Sequence, residues 1–279
     1  MIKPDPECDA IVRAFRRRDS RSRVLLPISS REPSFRKGGF GFDLKTIREY
    51  QPFDNPRSID WKLFGRTDRA YVKEYFEDEA DGAAVLIDRS ASAEAFDPEV
   101  SVRFAFSLCY VLASLGYLLS VFAYAERLGP RAEIGRRSSL ADLDALLSGT
   151  PYGGGTDLPG AVREARARVP FRRLFVLSDF HSGAFSPGAS GFRSVYLVRL
   201  KVPVERIAGD ATELEILDPE TGKVSFVPWD EQGKALFRRY DAWVAGKLAS
   251  DPRTELFVEL GAEDERGPVY RAVADKLHA

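Results

Sequence analysis

Asp88, Ser90 and Ser92 set a carboxylate and two hydroxyls at alternate positions directly after an apolar run, Ala83-Ala84-Val85-Leu86-Ile87. A second junction of this kind occurs where Leu174-Phe175-Val176-Leu177 runs into Ser178 and Asp179. Between them, Gly153-Gly154-Gly155 precedes Thr156, and a glycine-softened backbone lets that hydroxyl approach closely. Two acids with small neutral oxygens are the donor set of a hard divalent cation. Mg²⁺ suits it best, since it takes oxygens at short octahedral distances and retains water, with Mn²⁺ or Ca²⁺ as substitutes. Zinc fits poorly, because its preferred ligands are His and Cys. The chain holds two histidines, His181 and His278, and two cysteines, Cys8 and Cys109, with no metal-ligand spacing.

Two other chemistries compete for these residues. In an enzyme, Asp88 or Ser90 would serve as the nucleophile of a Mg²⁺-dependent hydrolase. An aspartyl phosphatase wants a second acid two residues after the first, and Ser90 stands there. A serine hydrolase wants flanking glycines and a base. His181, two residues after Asp179, is the one central histidine, and no complete acid, base and nucleophile set assembles around it. The expectation is therefore a non-enzyme. In a metal-free scaffold, Asp and Ser at strand-to-helix junctions would act only as helix caps and local hydrogen-bond acceptors.

Uninterrupted apolar runs ending in oxygens read as strands buried on both faces of a parallel sheet. From residue 83 onward strands alternate with helical patterns, which implies an α/β fold with a mostly parallel central sheet flanked by helices. Ligands in such sheets bind at the carboxyl ends of strands, where Asp88, Ser90, Ser92, Thr156 and Asp179 all fall. The spacing predicts a helix from Pro98, strands at 118–124 and 195–200, and an edge strand at 131–134. It also predicts helices capped by Ser138 or Ser139 and by Asp157, a hairpin of 213–217 with 224–227, a strand at 256–260 and a helix at 268–277. Residues 229–248 read as an amphipathic helix with Leu236, Tyr240, Trp243, Val244 and Leu248 on one stripe. Residues 1–80 form an N-terminal extension with a helix near 5–18 and aromatic-rich strands within 35–50 and 71–79. Residues 81–279 form the main domain, with a hairpin insertion near 206–228.

With 279 residues, 44% of them hydrophobic and 30% charged, the chain can bury a sizeable core beneath an ordinary soluble surface. A net charge of -1 argues against nucleic-acid binding, although Arg13, Arg16, Arg17, Arg18, Arg21 and Arg23 make the first segment locally basic. Pro4, Asp5, Pro6 and Glu7 break any signal-peptide pattern, and two isolated cysteines fit a reducing compartment, so a cytoplasmic location is expected. Residues 104–125 carry no charge and are long enough to span a bilayer. Ser107, Ser114 and Ser120 dilute the run, and a span would put Asp88 on the opposite side of the bilayer from Thr156 and Asp179. A buried helix followed by a buried strand is the better expectation, with no integral membrane segment.

Asp88-Arg89-Ser90-Ala91-Ser92, Thr156 after its glycines, and Asp179 in Leu177-Ser178-Asp179-Phe180 resemble the von Willebrand factor A fold and its metal-ion-dependent adhesion site, over about residues 83 to 279. The resemblance implies that Ser90, Ser92 and Thr156 touch the metal directly or through one water, that Asp88 and Asp179 hold its waters, and that a partner's Asp or Glu carboxylate completes the coordination. Asp54-Asn55-Pro56-Arg57-Ser58-Ile59-Asp60-Trp61, followed by Val72-Lys73-Glu74, is similar to the bacterial "domain of unknown function 58" family. Asn55 departs from it where an acid is common, and Ala93 where a methionine often follows the serines. That family resemblance implies an A-type domain working as an accessory or adaptor to a MoxR-type AAA+ ATPase or its client. A plainer account of the Asp54 block is a turn at Asp54 and Pro56, a packed Trp61 and an ion-paired Arg57.

Overall fold

The computed structural model describes residues 2–22, 44–52, 59–75, 82–135, 140–181, 185–201, 212–217 and 224–277. Among them the elements run, in chain order, α1 (Cys8–Ser22), β1 (Leu44–Glu49), α2 (Trp61–Thr67), β2 (Tyr71–Tyr75), β3 (Gly82–Asp88), α3 (Ala91–Glu94), α4 (Pro98–Ser114), β4 (Leu118–Tyr124), β5 (Leu128–Ile134), α5 (Leu140–Gly149), α6 (Leu158–Arg168), β6 (Arg173–Ser178), β7 (Ser194–Leu200), β8 (Glu213–Leu217), β9 (Val224–Pro228), α7 (Glu231–Ala249), β10 (Thr254–Leu260) and α8 (Gly267–Leu277). They divide into two compact units, Met1–Leu26 with Gly82–Ala279, and Pro27–Asp81.

The larger unit is built on a six-stranded sheet of order β10-β7-β6-β3-β4-β5. Every pairing in it is parallel except β4 with β5, which a three-residue turn joins directly. β3 lies inside the sheet and is buried along its whole length, which is why its sequence is a continuous apolar run. Alternation along the strands splits the core into two layers. Ala84 and Leu86 face one side with Phe122, Val176 and Leu197, covered by Leu158 and Val162 of α6 and by Val244 and Leu248 of α7. Ala83, Val85 and Ile87 face the other, covered by α1, α4, α5 and α8. The fold is an α/β sandwich with a mostly parallel central sheet flanked by helices.

The uncharged stretch 104–125 resolves into the rest of α4, a turn at Gly116 and the buried strand β4. Among the described residues no helix is long and apolar enough to cross a membrane. Asp97 caps α4 by accepting from the amides of Glu99 and Val100, and Asp157 caps α6 by accepting from Gly160 N. The first helix, grouped above with the extension, packs instead in the larger unit. Cys8, Ile11, Val12 and Phe15, at helical spacing, are buried there. Ahead of it, the buried Asp5 carboxylate accepts from Tyr270 Oη at 2.6 Å and Arg266 Nη1 at 3.0 Å, tying residue 5 to α8.

At the start of β3, a Cβ on Gly82 would stand 2.2 Å from Cε1 of Phe171, a distance that no side chain adopts. Gly82→Ala is expected to lower stability by about 1–3 kcal/mol, the usual cost of overpacking a filled core. Adding Phe171→Leu should recover part of the loss in urea unfolding. A single substitution without effect on the unfolding midpoint would contradict this packing.

In the smaller unit β1 and β2 pair antiparallel, with a bulge between Leu44 and Thr46. Asp60 Oδ1 accepts from Leu63 N at 3.1 Å at the start of α2. Trp61, expected to pack, is 64% exposed and, among the described residues, meets the edge of the Phe64 ring at 5.9 Å. Residues 53–58 of the Asp54 block, residues 76–79 of the second strand pattern, Ser138 and Ser139, and Gly222 of the hairpin turn lie outside the described residues. β8 and β9 form the expected antiparallel pair. The stripe expected on α7 divides in two. Val244 and Leu248 are buried, whereas Leu236, Tyr240 and Trp243 are 53%, 39% and 56% exposed. One residue turns a helix by about 100°, so the seam facing the sheet lies one position away from Leu236 and Trp243.

Candidate metal centre

Register places a row of polar residues across the carboxyl edge of the sheet. Tyr124 pairs with Asp88, Ser178 with Arg199 and Arg199 with Glu259, and one step past Ile87↔Leu177 brings Asp88 beside Ser178. Residues level with one another on neighbouring strands point to the same face, so these side chains meet. Tyr124 Oη and Ser178 Oγ donate to Asp88 Oδ2 at 3.0 and 2.6 Å, and Ser90 N donates to Oδ1 at 2.9 Å. Both oxygens of the fully buried Asp88 are thus engaged by the protein. Ser178 Oγ also accepts from Phe180 N at 3.1 Å, coupling the ends of β3 and β6.

Ser90 occupies the N-cap position of α3 in an extended conformation, yet its hydroxyl makes no capping bond. Ser90 Oγ lies 3.2 Å from Ser92 Oγ; Ser90 is buried and Ser92 exposed, so the pair runs from the floor of the edge to its rim. Between Asp88 and Ser90, the buried Arg89 donates through Nη2 to Leu147 O at 2.8 Å and stacks 4.6 Å above the ring of Tyr152. That stacking holds the start of the glycine loop.

The loop itself is fastened to the same edge. Gly153 N donates to Arg89 O at 2.9 Å, and Ala91 N donates to Gly154 O at 3.0 Å. Gly154 has a φ of +73°, and a Cβ there would come within 3.3 Å of Glu126 Oε1. Glu126 accepts from Gly155 N at 3.1 Å, and Asp157 N donates to Ala125 O at 3.0 Å. These bonds carry the half-buried Thr156 to the edge, between the end of β4 and the Ser90 turn. The roles of Glu126, Ser178 and Tyr124 are not apparent from local sequence; strand register alone reveals them.

Asp179 follows β6 and is buried. His181 N donates to its Oδ1 at 3.0 Å. His181 Nδ1 lies 3.3 Å from Oδ2 without hydrogen-bond alignment, and this buried oxygen has no hydrogen-bond partner. The chain turns here through Phe180, whose φ of +57° is uncommon for a bulky side chain and marks strain held by the surrounding packing. His181 Nε2 is 3.9 Å from Asp241 Oδ1, so the imidazole sits between two acids.

The two carboxyls respond oppositely to these surroundings. Burial pushes Asp88 up from its ordinary value, the neighbouring Asp179 charge adds to the rise, and donors from Ser178 and Ser90 offset it only in part. Burial would also raise Asp179, but the His181 side chain and amide, with Ser92, outweigh it and hold that carboxyl low. The edge therefore sets two carboxyls beside neutral hydroxyls, while the nearby Arg89 and Arg199 guanidiniums are directed to Leu147 O and to Asp179 O, Asp241 and Glu259. Among the described residues no group of three or more His, Cys, Asp or Glu side chains gathers as a metal site, so the donor chemistry here is that of hydroxyls beside two acids.

A six-stranded sheet of this order with one antiparallel edge, with Asp-x-Ser-x-Ser, a glycine-borne threonine and a second acid at its carboxyl end, is the arrangement that the resemblance to the von Willebrand factor A fold implies. The family model described as "Protein of unknown function DUF58" matches residues 46–246, and the chain belongs to that family. No curated protein matches it. Among solved structures it is similar to the conserved hypothetical protein BatB from Bacteroides thetaiotaomicron, with 16% identity and a TM-score of 0.39 over 71% of this chain and 99% of that one. It is also similar to proximal thread matrix protein 1 from the mussel byssus, solved with a zinc-occupied MIDAS motif, with 14% identity and a TM-score of 0.39 over 71% and 47% of the two chains. The SpRpn10 VWA domain is a third, with 6% identity and a TM-score of 0.38 over 68% and 93%.

Proposed function

We propose that this chain is a non-enzymatic, Mg²⁺-dependent protein-binding module. The observation that carries the proposal is the buried Oδ2 of Asp179, which has no hydrogen bond and faces the His181 imidazole at 3.3 Å, beside a second buried acid and a pair of neighbouring hydroxyls. Such an oxygen is costly unless something positively charged or hydrogen-bonding meets it. Ser90, Ser92 and Thr156 would hold the ion directly, with Asp88 and Asp179 acting on its hydration. When bound, a divalent cation supplies a Lewis-acid position that accepts a partner's carboxylate. The chain's own residues do the positioning: Tyr124 and Ser178 lock Asp88, Arg89 and Glu126 fix the Thr156 loop, and His181 orients Asp179.

The two competing accounts have less support. In a metal-free scaffold Ser90 would spend its hydroxyl on a cap, and it makes no such bond. In a hydrolase His181 would face a nucleophile, and its two ring nitrogens face Asp179 and Asp241 instead. The partner we favour is a MoxR-type AAA+ ATPase or its client, in the cytoplasm of a bacterial cell. Affinity capture from the native host tests this. Partners including an AAA+ ATPase should be retained in Mg²⁺ and lost in chelator, and the Asp88→Ala/Ser90→Ala double variant should behave in Mg²⁺ as the wild type does in chelator. Equal retention by wild type and variant would refute the metal bridge.

A further inference from the structure

The exposed flank of α7 is tied to the carboxyl edge of the sheet by one hydrogen bond. Tyr240 Oη donates to His181 O at 2.9 Å, and His181 is two residues past Asp179. From that contact Leu236, Tyr240 and Trp243 form an exposed apolar line at i, i+4 and i+7. Helical spacing puts Arg239 and Lys247 on the same flank, and Lys247 Nζ lies 5.3 Å over the Trp243 ring. From Gln232 to Ala249 the helix has one acid, Asp241, and that acid is turned inward to pair with Arg199. The flank is thus apolar and positively framed, continuous with the edge where Asp179 stands.

We propose that this flank is the second half of the partner-binding surface and takes an acidic peptide segment bearing apolar side chains. The inference rests on the metal-bridge reading given above. A segment whose carboxylate sits at the metal edge has its following residues over Tyr240. From Leu236 to Trp243 the helix covers about 10 Å, the reach of three or four extended residues. Apolar side chains of the segment cover Leu236 and Trp243, and its further acids meet Arg239 and Lys247. A lipid surface is the weaker occupant, since among the described residues of α7 this flank carries two cations and Tyr240 is held by a hydrogen bond to His181.

Fluorescence anisotropy on the full chain tests the proposal with three labelled peptides: one alternating Asp or Glu with Leu and Trp, one with Lys replacing the acids, and one with Ser replacing the apolar residues. The first should bind best in Mg²⁺. Trp243→Gln and Leu236→Ser should each weaken it about tenfold, as loss of a buried interface anchor does. Arg239→Glu should weaken it most at low salt. All three replace exposed side chains, so melting temperatures should stay at the wild-type value. If chelator changes nothing while Trp243→Gln still weakens binding, the flank stands and the metal reading falls. If chelator abolishes binding while Trp243→Gln and Leu236→Ser bind as wild type, the flank is overturned and the metal reading stands. No binding of the acidic–apolar peptide by the wild type would overturn it, as would Trp243-dependent binding to phosphatidylserine-containing vesicles in place of peptide, or a dimer in sedimentation that Trp243→Gln dissociates.

Discussion

Arg199→Leu is expected to destabilise the protein by about 3 kcal/mol, the largest loss from any single polar side chain described above. Arg199 is 1% exposed, and its guanidinium joins four groups on three other segments. It donates to Asp179 O at 3.1 Å, Asp241 O at 3.2 Å and Glu259 Oε1 at 3.1 Å, and pairs with the Asp241 carboxylate. Leucine would fill part of the space but leave two carboxylates and two carbonyls without their donor. The Asp241 and Glu259 side chains keep 22% and 35% exposure, so water softens the penalty toward the lower end of the range for a broken buried pair. For a chain of this size the loss corresponds to a fall in melting temperature of about 6–12 °C. Asp241→Asn added to Arg199→Leu should cost less than the sum of the two single changes, because the second change removes a charge that the first stranded. Strict additivity in urea unfolding would show that Arg199 and Asp241 do not act as a pair.

Asp88→Asn should reverse its effect on stability with metal. In chelator the substitution removes a charge that burial and the Asp179 charge both disfavour, while the amide keeps the shape of the acid. Its oxygen still accepts from Ser90 N, and the hydroxyls of Tyr124 and Ser178 can turn to meet its NH₂. The metal-free variant should therefore be at least as stable as the metal-free wild type. In Mg²⁺ at about a hundredfold excess over its dissociation constant, the wild type gains about 2.7 kcal/mol and the variant gains little. The order of the two melting temperatures then inverts. A variant that is less stable than wild type by the same amount with and without Mg²⁺ would make Asp88 a structural acid only.

Much of the candidate centre was legible in the sequence because strand ends announce themselves. A continuous apolar run that stops at Asp88, and another that stops before Ser178 and Asp179, give both the buried strands and the edge at which they deliver oxygens. The glycines before Thr156 mark a loop in close contact with its neighbours, and Gly154 has the positive φ that such a loop uses. What could not be read was set by register and rotation. Ser178 and Tyr124 meet Asp88 only because β6 and β4 align level with it, and Glu126 reaches the loop only because β4 neighbours β3. On α7 the sequence reads as one stripe of five apolar residues, and which of them face the sheet depends on how the helix is rotated. Helical spacing groups Tyr240 and Trp243 with Val244 and Leu248, but only the smaller Val244 and Leu248 fill the space against the sheet. Trp61 was misplaced for the same reason, since a large apolar side chain marks a contact surface without saying whether the contact is internal.

The central claim is that the hydroxyls and acids at the end of β3 and β6 hold a hard divalent cation. Isothermal titration calorimetry of Mg²⁺ into the metal-stripped chain tests it most directly, beside Asp179→Asn and the Ser90→Ala/Ser92→Ala double variant. The account predicts one binding site per wild-type chain and no measurable binding to either variant, with the wild type alone melting about 5–10 °C higher in saturating Mg²⁺. Wild-type protein that takes up no Mg²⁺, or variants that bind it as wild type does, would contradict the account.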